Sequence, residues 1–248
     1  MITTLIFDLD GTLVQTEKLK ARSYAKAAVE LCPISITEDE VIAAFKEVVG
    51  LPRREVATRL VEQFNLTEKA SAQMAAFNVS KPWQAFVQVR LKHYHKMLDD
   101  RDLIWAHQWA HNIELLQLAR ANCKHVALAT MSRCEQASRV LDILHLQDAF
   151  DFVATRDDVE FGKPNPEIYH LVAGELGVSV EECLVIEDSP SGVQAALNAG
   201  MQVMAVATPF TRDHLQHLEG LSAENLVLNP ADVLPTAARI IQTSQTNQ

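Results

Sequence analysis

The chain has 248 residues, of which 48% are hydrophobic and 22% are charged, and its formal net charge at pH 7 is −10. This length suits one large domain or a domain with an inserted partner. The acidic balance argues against a surface that binds nucleic acid or an anionic membrane. No apolar run is long enough to span a bilayer, and no basic segment precedes the first apolar run, so neither a membrane span nor a signal peptide is expected.

The cysteines are the next compositional clue. None of them stands in a CxxC spacing, and they are Cys32, Cys123, Cys134 and Cys183. A disulfide pair or a zinc site is one interpretation, but four buried thiols in a reducing cytosol fit the spacing better. Together with the missing signal, this pattern predicts a cytoplasmic protein. A monomer is the expectation, although no sequence feature decides the oligomeric state.

The first predicted element is a buried strand that stops at carboxylates. The apolar run 5–7 leads into Asp8 and Asp10, and Gly11 then permits a sharp turn. Residues two apart on a strand point the same way, so both carboxylates could face a pocket at the strand's end. The carboxyl ends of central parallel strands are where open α/β sheets hold their ligands. An edge strand with a solvated acidic turn explains these residues equally well.

Residues 15–98 show helical periodicity and no β-rich run. The first helix is expected to end at Pro33. A capping box that begins at Thr37 predicts the start of the next helix, which should reach Val49 and close at Gly50. The segment is therefore predicted to be all-helical and inserted behind the first strand.

From about residue 105, strands and helices alternate along the chain. The predicted strands lie at 126–129, 152–154, 183–186 and 203–206, with a further edge strand at 225–228. Strands that alternate with helices predict an α/β fold with a parallel sheet covered on both faces. Two of these strands also end at polar groups: the 126–129 strand at Thr130 and Ser132, and the 183–186 strand at Glu187 and Asp188.

These polar strand ends, together with Lys163 in the run 162–166, resemble the haloacid dehalogenase superfamily of phosphotransferases. All four motifs of that family are present in the family's order, and the resemblance extends from residue 1 to about residue 208. It implies a Rossmann-like parallel-sheet core. It also implies a division of the chain into a core domain of residues 1–14 and 99–248 and a helical cap domain of residues 15–98 over the active site.

The resemblance implies phosphoryl transfer through an aspartyl-phosphate. Asp8 would be the nucleophile, and Asp10 would act as general acid and general base. Lys163 would place an ammonium beside Asp8, which balances the nearby carboxylates. Thr130 would donate its hydroxyl to a phosphoryl oxygen, helped by backbone N–H groups that include the one at Met131.

The resemblance also implies a Mg²⁺ ion in an all-oxygen site. Its ligands would be the carboxylates of Asp8 and Asp188 and the backbone carbonyl of Asp10. Glu187 would act either directly or through a water. Gly192, at the start of a helix, fits a close loop that aims Asp188.

Residues that contact the substrate are less sharply indicated. Ser132 either contacts substrate or caps the helix that follows it. Gly50 and Arg53 resemble the cap loop of the family, in which Arg53 would pair with a second phosphate or a sugar hydroxyl, although a solvent-facing arginine has equal weight. Arg90 and Lys92 could point at the site, but a charged outer face is the better account.

Two functions would use the same core residues. The favoured one is a Mg²⁺-dependent phosphatase acting on a small phosphorylated metabolite, such as a sugar phosphate. The alternative is a phosphomutase of the β-phosphoglucomutase type, which returns phosphate to a sugar hydroxyl. Gln15 replaces a frequent acid of the family, and the run 105–109 replaces its usual Pro-Gly turn, which leaves the subfamily open. A non-catalytic binding protein is disfavoured because the whole catalytic set is present.

Overall fold

A computed structural model describes residues 1–32, 34–49 and 51–246. The chain forms two compact units. The first, called the core unit below, is Met1–Gln15 with Ile104–Gln248, and the second, the helical unit, is Thr16–Leu103. The domain limits expected from the sequence lie one residue and five residues from these limits. That the helical unit acts as a cap stays a prediction.

The core unit is built on one six-stranded parallel sheet with the order β3-β2-β1-β4-β5-β6. The strands are β1 (Thr4–Phe7), β2 (His125–Ala129), β3 (Phe152–Ala154), β4 (Cys183–Glu187), β5 (Gln202–Val206) and β6 (Leu226–Val227). The predicted α/β fold is confirmed. Strand β1 pairs with β2 on one side and β4 on the other, so the edge-strand interpretation is wrong. All four β1 residues are buried, as expected for a parallel strand covered on both faces.

Helices cover both faces of this sheet. Ile6, Ala127, Val185 and Val203 are neighbours across four strands and share one buried cluster with the apolar side of the helix that contains Tyr169. The helices of the core unit are α7 (Ala110–Asn122), α8 (Cys134–Ile143), α9 (Glu167–Leu176), α10 (Pro190–Asn198), α11 (Arg212–Gln216) and α12 (Val233–Thr246). Helices α9 and α10 join the cluster, whereas α7 and α12 pack against each other and contact β2 and β5.

The helical unit contains α1 (Thr16–Leu31), α2 (Glu38–Lys46), α3 (Arg53–Gln63), α4 (Thr67–Ala72) and α5 (Pro82–Leu98), and α6 (Arg101–Ala106) crosses its limit. Its described residues contain no strand. The capping box at Thr37 is present, since Thr37 and Glu40 exchange side-chain-to-backbone hydrogen bonds. Helix α2 ends at Lys46 rather than Val49. The predicted stops at Pro33 and Gly50 fall outside the described residues.

Packing in the helical unit centres on Tyr24 of α1. Its ring lies 5.5 Å from the ring of Phe45 and 5.8 Å from that of Phe86, measured between centroids. These contacts join α1 to α2 and α5, because each aromatic side chain comes from a different helix. Across the described part of the chain, no helix combines the length and the apolar character that a membrane crossing requires.

Two backbone hydrogen bonds join the segment where the chain leaves the core unit to the segment where the chain returns to it. The Gln15 N–H donates to the His107 carbonyl at 2.8 Å, and the Trp109 N–H donates to the Leu13 carbonyl at 2.9 Å. The two segments form an antiparallel bridge, called the clasp below. Trp109 therefore takes part in this bridge through its backbone N–H.

The four cysteines are free thiols, as expected, but they are not all buried. Cys183 is buried in β4, Cys32 and Cys123 are half-buried, and Cys134 is exposed. The prediction of four buried thiols is therefore wrong. Cys134 is exposed because it is the first residue of the amphipathic helix α8, whose buried side begins with Ala137.

Candidate active site

The carboxyl ends of β2, β1 and β4 bring the predicted catalytic residues to one edge of the sheet. Asp8 follows β1 directly, Thr130 follows β2, and β4 ends at Glu187 with Asp188 next to it. The three strands are parallel neighbours in matched register, so their carboxyl ends meet. The Asp8 N–H extends this pairing by donating to the Ile186 carbonyl at 3.0 Å. The register of the strands therefore places four polar residues at the same edge of the sheet.

Lys163 joins these strand ends through its ammonium group. Its Nζ donates to Asp8 Oδ1 at 2.8 Å, to Glu187 Oε1 at 2.7 Å and to the Ala129 carbonyl at 3.0 Å. The side chain is only 3% exposed, so these three acceptors replace its water shell. The structure thus brings Lys163 to Asp8, as the sequence led us to expect, and adds Glu187 as a second direct partner.

The turn after β1 is shaped around Asp188. Gly11 has φ of +97°, a conformation that favours glycine, and a Cβ added to it would lie 2.1 Å from Asp188 Oδ2. The next residue, Thr12, donates its hydroxyl to Asp188 Oδ1 at 3.3 Å, and its carbonyl accepts from Asn112 Nδ2 at 2.6 Å. Sequence analysis missed Thr12 and Asn112; the hydroxyl next to Gly11 was the available signal for Thr12.

The loop after β4 is shaped around Glu187. Glu187 Oε2 accepts from the Ser189 N–H at 2.8 Å and from the Ser189 hydroxyl at 3.0 Å, and that hydroxyl accepts from the Gly192 N–H at 3.1 Å. A Cβ at Gly192 would lie 1.6 Å from Glu187 Oε1. The missing side chain of Gly192 thus makes room for Glu187, and the expectation that this close loop aims Asp188 stays a prediction. Tyr169 also donates its hydroxyl to Glu187, at 3.5 Å.

Substitution of Gly192 tests this steric requirement. We expect Gly192→Ala to lower the free energy of unfolding by about 1–3 kcal/mol, because the new methyl group must displace a buried, ion-paired carboxylate. Urea denaturation monitored by circular dichroism measures the change. The matched control is Gly174→Ala in α9, where an added Cβ meets nothing within 4 Å; it should raise stability by about 0.5–1 kcal/mol. Equal effects of the two substitutions would refute the steric account.

The end of β2 holds Thr130, Ser132 and, across from them, Asp10. The Thr130 N–H donates to the Ala154 carbonyl at 2.9 Å, and its buried hydroxyl accepts from the Ser132 N–H at 3.0 Å. The Ser132 hydroxyl donates to Asp10 Oδ2. Helix α8 begins two residues later, at Cys134, with no side-chain cap, so the capping interpretation of Ser132 is wrong. The side chain of Met131 packs against the core cluster, and its predicted N–H contact to phosphate stays a prediction.

Burial and charge shift the pKa values of Asp8 and Lys163. Burial raises the pKa of Asp8 to about 7; the ammonium of Lys163 opposes the rise, and the charges of Glu187 and Asp10 add to it. Burial alone would lower the pKa of Lys163, but the carboxylates of Asp8 and Glu187 raise it well above its usual 10.5. Lys163 therefore stays protonated. The acidic side chains around it, which include Asp8 and Glu187, outnumber this one positive charge.

The buried carboxylates fit a hard divalent cation. One ligand oxygen from each of Asp8, Glu187 and Asp188 lies within 4.8 Å of the others, and all three residues are buried. Lys163 alone does not balance three such charges, and buried charge needs compensation. An all-oxygen donor set of this kind suits Mg²⁺ better than a softer metal. The carboxylate of Asp10 is not part of this cluster, and the use of its backbone carbonyl as a ligand stays a prediction.

In the helical unit, Arg90 differs from its expected surface position. It is only 5% exposed, and its guanidinium lies 4.9 Å from the ring centroid of Tyr24 and 4.3 Å from that of Tyr94. The outer-face interpretation is therefore wrong for Arg90, whose stacking between two rings offsets its burial. It holds for Lys92, which is 71% exposed and lies 3.8 Å from Glu30.

Arg53, the first residue of α3, is exposed, and Gly50 lies outside the described residues. Burial raises the pKa of Tyr24, and the positive charges of Arg90, Arg53 and Lys20 oppose that rise. Three basic residues thus lie close enough to one tyrosine to act on its charge. Contact of Arg53 with a substrate stays a prediction.

The sequence of this chain matches a protein family and a curated relative. Residues 5–206 match the model of a family described as haloacid dehalogenase-like hydrolase. A phosphorylated carbohydrates phosphatase from Thermotoga maritima is 30% identical over 202 residues, which are 80% of this chain and 82% of that protein.

Two crystal structures share the fold over nearly the whole chain. A haloacid dehalogenase family hydrolase from Deinococcus radiodurans, with bound phosphate and sodium, superposes with a TM-score of 0.71 at 22% identity, covering 96% of each chain. A β-phosphoglucomutase from Clostridium difficile superposes with a TM-score of 0.64 at 23% identity, covering 97% of this chain and 99% of that one. At these identities the likeness concerns the fold alone.

Proposed function

The chain belongs to the haloacid dehalogenase-like hydrolase family, and we propose that it is a Mg²⁺-dependent phosphatase of a small phosphorylated metabolite, such as a sugar phosphate. Its class, phosphoric monoester hydrolase, follows from the family and from relatives named as phosphatases. The observation that carries the proposed mechanism is the buried Asp8 carboxylate, bound at one oxygen by the Lys163 ammonium beside two further carboxylates.

The first half of the reaction uses Asp8 as nucleophile. Lys163 holds Oδ1 of Asp8, which leaves Oδ2 as the attacking oxygen. The Asp8–phosphorus bond forms as the bond from phosphorus to the leaving oxygen breaks, and Asp10 gives its carboxyl proton to that oxygen. Thr130 has its hydroxyl oriented by the bond that it accepts from Ser132, so its proton can be donated to a phosphoryl oxygen.

The second half returns the site to its starting state. A water attacks the phosphorus of the aspartyl-phosphate, Asp10 takes a proton from that water, and the Asp8–phosphorus bond breaks. Inorganic phosphate and a free Asp8 carboxylate result. In a phosphomutase a sugar hydroxyl would take the place of the water.

Asp8, Glu187 and Asp188 would hold the metal with their carboxylates, and Asp10 with its backbone carbonyl. Bound there, Mg²⁺ supplies positive charge that lets an anionic phosphate approach an anionic nucleophile. Gly11 and Gly192 leave room for two of these carboxylates, so the donor set is held by the backbone around it.

Removal of metal should abolish most of the activity. We expect dialysis against EDTA to lower the rate of phosphate release by about 100-fold or more, and Mg²⁺ to restore it. Ca²⁺ should restore little, because its longer and more variable coordination positions the nucleophile poorly. Phosphate release with a sugar phosphate is the measurement. Full activity in metal-free buffer would contradict the site.

Specificity is proposed to come from the helical unit. Arg53 would bind a second anionic group or a sugar hydroxyl of the substrate, supported by the gathering of Arg53, Lys20 and Arg90 around Tyr24. The same basic residues favour the second candidate function, a phosphomutase, because a sugar bisphosphate carries a second phosphate.

Arg53→Ala should raise KM by about 10-fold and change kcat little, because Arg53 would bind ground state and transition state alike. The matched control is Arg54→Ala, an exposed arginine on the same helix, which should leave both constants unchanged. Steady-state kinetics on a panel of phosphorylated metabolites measures the effect. A fall in kcat at constant KM would contradict the binding role.

An assay of β-glucose 1-phosphate separates the two candidate functions. It is run with and without glucose 1,6-bisphosphate, and both glucose 6-phosphate and free phosphate are followed. Phosphate release in step with substrate loss supports the phosphatase. Rapid glucose 6-phosphate formation that depends on the bisphosphate would make this protein a mutase.

The setting proposed for this reaction is the cytoplasm, with a monomer acting on a free metabolite. The four free thiols support a reducing compartment. The net charge of −10 supports a protein that does not bind nucleic acid or an anionic membrane.

A further inference from the structure

The contact between Ser132 and Asp10 joins two residues that lie far apart in the chain. The Ser132 hydroxyl donates to Asp10 Oδ2, and neither residue is fully exposed. We propose that Ser132 is a positioning residue, which holds the Asp10 carboxylate in the orientation needed for proton exchange with the leaving oxygen. This inference rests on the proposed function, because it assigns a partner to the general acid of that reaction.

Ser132 is itself held at both ends of its backbone. Its N–H donates to Thr130 Oγ1 at 3.0 Å, and its carbonyl accepts from the Arg156 N–H at 3.0 Å. Thr130 is in turn joined to β3 through its N–H, which donates to the Ala154 carbonyl at 2.9 Å. The hydroxyl of Ser132 is therefore aimed by a fixed loop between two strands, as a supporting hydrogen bond to a catalytic group must be.

A hydrogen bond that orients the Asp10 side chain matters because Asp10 lies in the turn after β1. Strand β1 ends at Phe7, and Gly11, next to Asp10, adopts a conformation that favours glycine. A half-buried carboxylate in this position can rotate towards solvent unless a partner holds it. The bond from the Ser132 hydroxyl to Oδ2 therefore fixes the direction of the Asp10 carboxylate.

Ser132 could instead contact the substrate directly, and the two roles predict different kinetics. General acid catalysis matters most when the leaving oxygen is a poor leaving group, such as a sugar alkoxide. It matters little when the leaving group is good, such as p-nitrophenolate. A residue that acts through the general acid should therefore be needed for the first substrate much more than for the second. A residue that binds phosphate should be needed for both equally.

The test compares kcat/KM of Ser132→Ala on a sugar phosphate and on p-nitrophenyl phosphate. We expect a loss of about 10-fold on the sugar phosphate and less than about 2-fold on p-nitrophenyl phosphate. Ser132→Thr keeps a hydroxyl and should retain the wild-type preference. If Ser132→Ala fails to fold, Ser132→Cys, which has a similar size and donates weakly, takes its place. Equal losses on the two substrates would overturn the inference.

A double-mutant cycle with Asp10→Asn gives the second readout. At enzyme concentrations high enough to measure the residual rate, adding Ser132→Ala to Asp10→Asn should cost nothing further on the sugar phosphate, because Ser132 acts only through Asp10. Additive losses would overturn the inference while leaving the proposed function intact. A wild-type protein that hydrolyses no phosphate monoester would overturn the proposed function, and this inference with it.

Discussion

Replacement of Asp8 by asparagine is expected to lower kcat/KM by about 10⁴-fold or more, because an amide cannot attack phosphorus. The fold should survive. Burial already raises the pKa of Asp8 to about 7, so an uncharged group costs little at this position. Lys163 would keep Glu187 Oε1, at 2.7 Å, as an ionic partner. The loss should therefore appear in turnover and not in the free energy of unfolding.

Tests of folding, of a matched control and of the trapped intermediate make this result decisive. Circular dichroism and urea denaturation should give the wild-type spectrum and midpoint for Asp8→Asn, and the exposed control Asp148→Asn should keep full activity. Acid quenching of the wild-type reaction should trap one phosphoryl group on the peptide that contains Asp8, and none in the variant. Appreciable turnover by a correctly folded Asp8→Asn protein would refute the nucleophile assignment.

Replacement of Lys163 by methionine should damage both stability and catalysis. The variant leaves the carboxylates of Asp8 and Glu187 and the Ala129 carbonyl without the ammonium that each now accepts from. Removal of one partner from a buried ion pair costs about 3–5 kcal/mol. Activity should fall by about 10³-fold, because the positive charge beside the reacting phosphorus is lost as well.

Lys124→Met is the matched control for this variant. Lys124 is exposed, so its replacement should change neither the free energy of unfolding nor kcat/KM. Chemical denaturation without added metal measures the stability of both proteins, and phosphate release measures activity. A Lys163→Met protein as stable as the Lys124→Met protein would show that the three contacts of the ammonium contribute no net stability.

Sequence analysis predicted the parts of the site that depend on strand ends. The run 5–7 and the run 183–186 are apolar and short, so their carboxyl-terminal acids had to emerge at the same edge of a parallel sheet. The order of the motifs predicted the remaining contact, because the family resemblance places Lys163 beside Asp8. Strand ends and motif order can be predicted because they depend on hydrophobic periodicity and on the sequence of motifs, and not on the directions of individual side chains.

Other contacts between individual side chains could not be predicted from the sequence. The Ser132–Asp10 bond depends on two loops that 121 intervening residues separate in sequence, and on the rotamer that each side chain adopts. Arg90 was assigned with Lys92 to a charged outer face, whereas its stacking on Tyr24 depends on how α1 and α5 pack. Gly192 was placed in a close loop from its position at a helix start, but its close approach to the Glu187 carboxylate depends on side-chain positions that the sequence does not show.

The clasp has a consequence for how such proteins diversify. Because segments 13–15 and 107–109 are bonded to each other, any insert between them begins and ends at nearly the same point. The entropic cost of closing a loop grows only slowly with its length, so inserts of different sizes can be grafted at this junction at similar cost. The sheet and its register need not be rebuilt when an insert is exchanged. Evolution, or a protein engineer, can thus exchange the helical unit while keeping the sheet and the residues at its strand ends.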